Sequence, residues 1–467
     1  MSIPIYEINN NNILDYDKSY KINEIKKNTL GEVFTPIHLC IKILTLLPKN
    51  VWTNPYLKWC EPSAGQGYFM IAIYVNLMKG LSQWEPNTIK RRNHIIKNML
   101  YFVELDKDNC AYLKKIFGPN SNIYCSNYLE LDLNKLFDFK FDIIIGNPPF
   151  QDNYGVTIAG KRILGGKTKL YEKIFIKAYN SLNKNGLLVF ITPDNIFSGL
   201  TESYNLLVSS HVKHIYFGLK EYFPQIQQDM CYFILRKDSN NGITYIHNNY
   251  NNDSIKVKLV LRPINPIKCW TIHNENLVKK YIMNQRNDAV YNRGKNVNEY
   301  KGNKYMLVYT KDKMLYTNNI NLAVGFGIKK AIIFIISPTF DFKMDYTGKY
   351  GIGPNTIYIP FKTISQGKIL EEFLKSNDYK DLVNASKVSR QYIKLALIEH
   401  LNLNKIMGIK NNTKTNTNTN TNTNTNTNKT NKTNTNKTNK TNTNKTNKTN
   451  KTNKTNKTNK TNTRKNK

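Results

Sequence analysis

The sequence contains no apolar run of the roughly 18 residues that a membrane-spanning helix requires. Its first residues, MSIPIYEINNNN, lack the basic segment followed by an apolar segment that marks an export signal. CxxC pairs are also absent, and the seven histidines show no metal-ligand spacing. We therefore expect an intracellular protein with no membrane span, no metal and six reduced cysteines, which are Cys40, Cys60, Cys110, Cys125, Cys231 and Cys269.

Acidic residues are scarce, with 33 Asp and Glu against 68 Lys and Arg in 467 residues, which gives a net charge of +35. Residues 411–467 contain only Asn, Thr, Lys and Arg and hold 14 of the basic residues, so +21 remains on the rest of the chain. A segment of that composition cannot bury a core, and we predict a disordered low-complexity tail over 406–467.

The remaining basic excess favours a polyanionic partner, with nucleic acid the first candidate. The alternative is the codon usage of an AT-rich genome, which enriches Asn, Lys, Ile and Tyr. Charge alone does not separate the two.

Short apolar runs alternate with helical patterns up to about residue 240, which predicts an α/β domain with a mostly parallel sheet. No long helical pattern separates the last two runs, so we expect an antiparallel pair at one end. Beyond residue 240 apolar runs and helical patterns no longer alternate regularly, and we predict a separate mixed α+β domain. The predicted strands are 57–60, 101–105, 123–125, 141–145, 187–192, 214–217 and 231–235, and the predicted helices are 69–81, 107–117 and 170–182.

A glycine-rich turn, EPSAGQG at residues 61–67, connects the first predicted strand to the helix that follows. Such a turn lets the backbone approach a ligand, and the helix N-terminus offers unpaired N–H groups. The second predicted strand ends in Glu104, whose carboxylate can accept both hydroxyls of a ribose. Gly65 and Gly67 alone fit an ordinary strand-to-helix turn, but together with Glu104 they favour a nucleoside cofactor.

The fourth predicted strand ends in GNPPF, residues 146–150. Pro148 and Pro149 make a stiff, extended bend, which we expect to present the Asn147 side-chain oxygen beside the Pro148 carbonyl oxygen. Two converging acceptors, with Phe150 as a flat wall, suit a planar ring that bears an amino group. The alternative is a strand-terminating turn, in which Pro-Pro is common.

EPSAGQG and GNPPF resemble motifs I and IV of the AdoMet-dependent N6-adenine DNA methyltransferases, in the order of the gamma class. The resemblance covers about residues 31–237 and implies AdoMet as cofactor. It implies a Rossmann-like methyltransferase domain over 31–240 after an N-terminal arm at 1–30. A target-recognition domain over 241–405 is implied in turn, because in this class it follows the catalytic domain.

Further segments are similar to the same family. GEVFTP at 31–36 resembles motif X, whose Thr meets the methionine carboxylate, and EYFPQ at 221–225 resembles a motif whose Phe stacks on the extruded base. Where the family usually has Asp to hold the adenine amino group of AdoMet, this chain has Asn127, whose amide oxygen can still accept. The implied cofactor-binding residues are Thr35, Glu61, Pro62, Ala64, Gly65, Gly67, Glu104, Leu105, Asn127 and Asn147. The implied catalytic residues are Asn147, Pro148, Pro149 and Phe150, with Phe150 and Phe223 stacking on the target base.

The predicted function is site-specific adenine-N6 methylation of double-stranded DNA, alone or beside a cognate restriction endonuclease. The base must leave the duplex to reach such a pocket, at a cost that aromatic stacking partly offsets. Methylation at cytosine carbon-5 would need an attacking Cys, usually after Pro, and the sequence contains no Pro-Cys pair. The alternatives are an RNA or protein-glutamine amino-methyltransferase, which generally lacks a large domain after the last strand, and a non-catalytic DNA-binding relative.

Overall fold

Strands and helices alternate on both sides of the glycine-rich turn in the computed structural model of the chain. The structure describes residues 4–14, 35–150, 169–239, 242–292, 294, 297–336, 340–386 and 393–409. Most of the predicted 1–30 arm, and the predicted tail from residue 410 onwards, lie outside these residues.

A nine-stranded sheet forms the core of the first domain, in the order β3-β2-β1-β4-β5-β7-β6-β8-β9. Strands β1 to β5 run parallel to one another, and β7 lies antiparallel between β5 and β6. The predicted α/β class and the antiparallel pair are confirmed. The first seven strands are β1 (Trp59–Glu61), β2 (Leu100–Glu104), β3 (Asn122–Cys125), β4 (Phe141–Gly146), β5 (Leu182–Pro193), β6 (His211–Phe217) and β7 (Met230–Arg236).

Two further strands extend this sheet beyond the predicted domain boundary after residue 240. β8 (Thr244–Asn248) pairs in parallel with β6, and β9 (Asp253–Val257) returns antiparallel to β8. Only one face of β8 is buried, through Thr244, Ile246 and Asn248. Because Ile246 is its only residue that is both apolar and buried, the sequence gives it no continuous apolar run.

Seven helices in the described part of the chain accompany this sheet, and all of them except Thr88–His94 bury apolar side chains. The helix after the glycine-rich turn is buried along most of its length, from Tyr68 to Val75. The helices are α1 (Ile37–Leu44), α2 (Tyr68–Gly80), α3 (Thr88–His94), α4 (Lys107–Phe117), α5 (Leu133–Leu136), α6 (Leu170–Ser181) and α7 (Glu202–Ser209).

The C-terminal part has cores of its own, distinct from the cluster that fills the nine-stranded sheet. It contains a four-stranded sheet in the order β10-β16-β13-β14 and a three-stranded sheet in the order β12-β11-β15. The predicted mixed α+β class is confirmed. Its strands are β10 (Val290–Tyr291), β11 (Tyr305–Val308), β12 (Met314–Thr317), β13 (Lys330–Phe334), β14 (Phe342–Asp345), β15 (Gly351–Ile352) and β16 (Thr356–Pro360). Its helices are α8 (Ile272–Tyr281), α9 (Ile364–Lys375), α10 (Asn377–Ser386), α11 (Leu395–Glu399) and α12 (Leu403–Ile406).

A disulfide joins Cys110 in α4 to Cys125 at the end of β3, so the prediction of six reduced cysteines is wrong for this pair. The register of β2 and β3 places Cys125 opposite Glu104, and α4 begins three residues after Glu104. Their Cα atoms are therefore 6.0 Å apart although 15 residues separate them in sequence. Spacing rules that look for local cysteine pairs cannot detect a contact made by strand pairing.

No helix among the described residues combines the length and the apolar character that a bilayer crossing needs. Within the same residues, no three His, Cys, Asp or Glu side chains cluster as a metal site would require.

Candidate active site

Strands β1 to β6 all end at one edge of the sheet, because β6 is antiparallel to β7 and therefore runs in the same direction as β5. Ligands of open α/β sheets bind at this carboxyl edge. The edge brings together the glycine-rich turn after β1, Glu104 at the end of β2 and the GNPPF segment after β4. The segments after β3, β5 and β6 leave from the same edge.

The glycine-rich turn has a backbone that requires glycine at two positions. Gly67 precedes α2 with a φ of +76°, and a Cβ added there would lie 2.6 Å from the side chain of Leu113. Gly65 also has a positive φ, of 53°. Its N–H donates to Glu104 Oε2 at 2.6 Å, so the turn is tied to the end of the neighbouring strand β2.

Glu104 is buried between the turn and the start of α4. Besides Gly65, the N–H of Asp106 donates to its Oε1 at 2.8 Å. A carboxylate has about four lone-pair positions, so these backbone bonds do not exclude ribose hydroxyls as further donors. The next side chain, Leu105, is 47% exposed and leaves an apolar surface beside this carboxylate.

Glu61, at the end of β1, is a second buried carboxyl at this edge, with 3% of its surface exposed. Burial, and then the negative charge of Glu104, raise the pKa of Glu61 well above its ordinary value, while a hydrogen bond from the Met70 backbone opposes the shift. Its Oε2 has no hydrogen-bond partner among the described residues. A cation placed here would stabilise the ionised form.

The ends of β1 and β4 lie in contact with each other. A Cβ added to Gly146 would be 3.5 Å from Pro62 and 3.6 Å from Glu61, so the GNPPF segment begins directly beside the glycine-rich turn. Ala64 in that turn is buried, and its N–H donates to the Val103 carbonyl of β2 at 3.0 Å.

Asn147 is oriented by a residue 112 positions earlier in the sequence. Its Nδ2 donates to Thr35 Oγ1 at 3.0 Å, and Thr35 is itself buried just before α1. Because this bond commits the amide nitrogen to Thr35, the oxygen is the atom of the carboxamide that can accept a hydrogen. Pro148 and Phe150 are buried beside it, and Pro149 is half-buried.

The side chain of Asn127 is engaged locally. Its Oδ1 accepts from the Leu129 N–H at 3.0 Å, and its Nδ2 donates to Glu130 Oε1 at 2.9 Å. The preceding residue, Ser126, donates to the Glu104 carbonyl at 2.9 Å, which places Asn127 next to the end of β2. Its contact with the adenine of AdoMet stays a prediction.

Phe223 lies in the segment between β6 and β7 and is only 1% exposed, packed in the main core. The neighbouring Tyr222 is half-buried, with its ring 5.3 Å from that of His38 and its hydroxyl accepting from Lys42 Nζ at 3.1 Å. In this conformation the ring of Phe223 is covered, and its stacking role stays a prediction that requires the segment to move.

Two polar residues at the same edge were not singled out from the sequence. Tyr171, in the first turn of α6, donates through its hydroxyl to Asn195 Oδ1 at 2.6 Å. Asn195 follows β5 in a short 3₁₀ turn, Asp194–Phe197. The signal for Asn195 was available, since two polar residues follow an apolar strand at its carboxyl end. Its partnership with Tyr171 depends on tertiary structure.

Comparison with known proteins places this geometry in a family. Residues 11–223 match the family model described as Eco57I restriction-modification methylase. The segment thus matches the methylase domain of that family. The methylase domain contains the glycine-rich turn, Glu104, Asn147 and the segment after β5.

The individual proteins that are similar to this chain share a quarter or less of its residues over the matched segments. A protein of Mycoplasma pneumoniae described as an uncharacterized adenine-specific methylase is 25% identical over 284 residues, which cover 44% of this chain and 66% of that protein. Among solved structures, the type IIL restriction-modification enzyme MmeI in complex with DNA is 12% identical with a TM-score of 0.47, over 83% of this chain and 66% of that one. The type ISP enzyme LlaBIII bound to DNA is 12% identical with a TM-score of 0.48, over 78% of this chain and 38% of that one.

The chain therefore spans just under two thirds of the curated relative. It spans about half of the type I EcoKI M protein, which is 17% identical with a TM-score of 0.37 over 46% of this chain and 48% of that one.

Proposed function

We propose that this chain is a site-specific DNA methyltransferase that transfers the methyl group of AdoMet to the N6 amino group of adenine. The observation that carries the proposal is the Asn147 carboxamide, whose nitrogen is held by Thr35, so that its oxygen is the atom oriented as an acceptor. It follows Gly146 at the end of β4, and Gly146 lies beside the turn to which Glu104 is hydrogen-bonded. The family match of the domain and the adenine-specific relative point to the same chemistry.

The residues of the glycine-rich turn fit AdoMet in charge and in shape. Two buried carboxyls, Glu61 and Glu104, lie close enough that the charge of one raises the pKa of the other, so a cationic ligand suits the site better than an anionic one. At Gly67 the close contact with Leu113 leaves no room for a side chain, which keeps the turn compact. We assign Glu104 to the ribose hydroxyls, Leu105 and Asn127 to the adenine, and Thr35 with Glu61 to the methionine end. When bound, AdoMet supplies an electrophilic methyl group on a sulfonium.

The residues of the GNPPF segment act on the amino group that receives the methyl. An aromatic amino group is a poor nucleophile because its lone pair is delocalised into the ring. The Asn147 side-chain oxygen and the Pro148 carbonyl oxygen accept its two hydrogens, favour a pyramidal nitrogen and stabilise the positive charge that grows there. Orientation and electrostatics supply the rate, so the protein needs no nucleophile of its own.

Access to this site requires the target base to leave the duplex. Phe150 lies next to the two acceptors, and we assign it, with Phe223, to stacking on the extruded base. The separate cores of the C-terminal part make it the candidate recognition domain, since bases are read by side chains that a scaffold holds in a groove. Double-stranded DNA is thus the proposed partner, with a cognate restriction endonuclease as a second.

The proposal is tested by mapping modified adenines in the DNA of a host that expresses the chain. We expect N6-methyladenine at one short sequence, and a loss of at least ~100-fold in turnover for Asn147→Ala, on the scale of losing one transition-state hydrogen bond. AdoMet affinity should change little in that variant. Unmodified adenines, or full methylation by Asn147→Ala, would refute the assignment.

A further inference from the structure

The segment after β5 contains Asn195, whose side-chain amide is oriented by one hydrogen bond to its oxygen. Asn195 is half-buried, and its Oδ1 accepts the Tyr171 hydroxyl at 2.6 Å. Its Nδ2 donates to no group among the described residues. Because the oxygen faces Tyr171, the amide nitrogen is the atom that faces away from the protein's own hydrogen-bond network.

Tyr171 is a rigid support for this amide. The residue is 2% exposed, so its ring cannot move without opening the core. Its hydroxyl also lies 3.1 Å from Glu172 Oε1, but a phenol has one hydrogen to give. The Glu172 carboxylate already accepts from Lys169 Nζ at 2.6 Å and from Ser203 Oγ at 3.2 Å. The shorter contact, to Asn195, therefore takes the hydrogen.

The backbone of the Asp194–Phe197 turn is held from several sides. The Asp194 N–H donates to the Asp229 carbonyl at 3.0 Å, and Asn265 Nδ2 donates to the Phe197 carbonyl at 2.6 Å. Lys394, from the C-terminal part, donates to the Ser198 carbonyl at 3.0 Å. A turn braced in this way presents its side chains in a fixed geometry, as a ligand-positioning group needs.

The turn follows the strand next to the one that carries the proposed catalytic segment. β4 and β5 are adjacent parallel strands in which Gly146 pairs with Phe190. Asn147 and Asn195 therefore leave the sheet at the same edge, from neighbouring strands. An adenine whose amino group lies against Asn147 presents acceptors only at its ring nitrogens, and a donor is what Asn195 offers.

We propose that Asn195 Nδ2 donates a hydrogen bond to N1 or N7 of the extruded adenine, the ring nitrogens on the side of the amino group, and that Tyr171 is the positioning residue that keeps the amide in this orientation. This rests on the proposed adenine methylation. Asn147 and Pro148 would bind the amino group while Asn195 fixes the rotation of the base, so that the amino nitrogen faces the methyl donor.

The test compares variants on duplexes whose target adenine is replaced by 1-deazaadenine or 7-deazaadenine, each of which lacks one ring acceptor. Asn195→Ala should lower kcat/KM on ordinary adenine about tenfold, the scale of one hydrogen bond to a buried group. On the analogue that lacks the contacted nitrogen, wild type should fall by a similar factor and Asn195→Ala should cause no further loss. Tyr171→Phe should cause a smaller loss that also disappears on that analogue.

Controls separate the loss of the Asn195 hydrogen bond from a folding defect, from an effect of charge and from a failure of the proposed adenine methylation. AdoMet affinity and thermal unfolding should be unchanged in Asn195→Ala. Asn195→Asp keeps the acceptor for Tyr171 but removes the donor, and Asn205→Asp places the same charge on the exposed side of α7. Of these two variants, only Asn195→Asp should lose activity. Equal losses by Asn195→Ala on adenine and on both analogues, or no loss at all, would overturn the inference while leaving adenine methylation intact. A wild type that methylates no adenine would overturn the parent proposal instead.

Discussion

The buried carboxyl of Glu61 lowers the stability of the ligand-free protein at a position that we assign to AdoMet binding. Its raised pKa means that the folded, ligand-free protein holds a proton at a pH where the unfolded chain has lost it. The free energy of unfolding therefore falls as pH rises from the ordinary pKa of Glu to the raised value. Above that range the folded protein has to bury a charge.

Glu61→Gln should consequently raise the melting temperature of the ligand-free protein at neutral pH, because it removes the buried charge and keeps the shape. The same substitution should weaken AdoMet binding and flatten the increase in affinity with pH that proton release gives the wild type. Thermal unfolding measures the change in melting temperature, and calorimetric titration at several pH values measures the AdoMet affinity. Glu372→Gln, at an exposed position of α9, is the matched control. A variant that is destabilised at neutral pH and binds AdoMet normally would contradict this account.

Phe223 requires a variant that separates packing from stacking. Because the ring is buried, Phe223→Ala should cost about 3–5 kcal/mol from the cavity alone. Phe223→Leu keeps most of the volume and removes the aromatic face. We expect Phe223→Leu to fold and to lose activity on paired targets, with a smaller loss when the target adenine lies opposite a gap, since an unpaired base is easier to extrude. An equal loss on both targets would make Phe223 a packing residue only.

At the scale of elements, the disulfide between Cys110 and Cys125 ties the start of α4 to the end of β3. Glu104 lies opposite Cys125 in the pairing of β2 with β3, and Asn127 follows two residues after Cys125. The bond therefore joins the two segments that we assign to the adenosine half of AdoMet.

Cys125→Ser should lower the stability of the oxidised protein by up to about 3 kcal/mol, the loop-entropy value for a closed loop of 15 residues, and should weaken AdoMet binding. Thermal unfolding and calorimetry with and without a thiol reductant measure the two effects, and reduced wild type should behave like the variant. Cys269→Ser removes a thiol outside this bond and is the control. Identical melting of the variant and the oxidised wild type would contradict the prediction.

Some of the helices and strands could be predicted from the sequence, and others could not. Strands with continuous apolar runs, such as β4 and β5, and the helices between them are predictable because burial on both faces demands such runs. The short strand β8 and the polar hairpin to β9 are not, because one face of each is exposed. At the site, residues in strand-end motifs such as Glu104 and Asn147 could be selected from the sequence. The bond from Asn147 to Thr35, the burial of Phe223 and the support of Asn195 by Tyr171 are tertiary contacts that no local pattern encodes.

For the whole molecule, the charge of the tail predicts a contribution to DNA affinity and none to specificity. Residues 411–467 carry 14 positive charges and no aromatic residue, so they can neutralise phosphates but cannot read bases. Truncation after Lys410 should weaken binding to all DNA at low salt. It should also flatten the slope of log affinity against log salt by about 0.9 for each phosphate that the tail no longer neutralises. Salt-dependent binding isotherms measure the slope. The methylated sequence should not change, and a truncated protein that modifies other sites would place the tail in the recognition surface.

The central claim is the identity of the atom that receives the methyl group. Incubating the purified full-length chain with unmethylated double-stranded DNA and AdoMet carrying a deuterated methyl, followed by nucleoside mass spectrometry, measures it directly. Because Asn147 and Pro148 offer two acceptors for an amino group, we expect the label in N6-methyl-2′-deoxyadenosine, at a rate at least ~100-fold lower with Asn147→Ala. Label on the cytosine amino group, label only when RNA or a protein glutamine is supplied, or no transfer at all would contradict it.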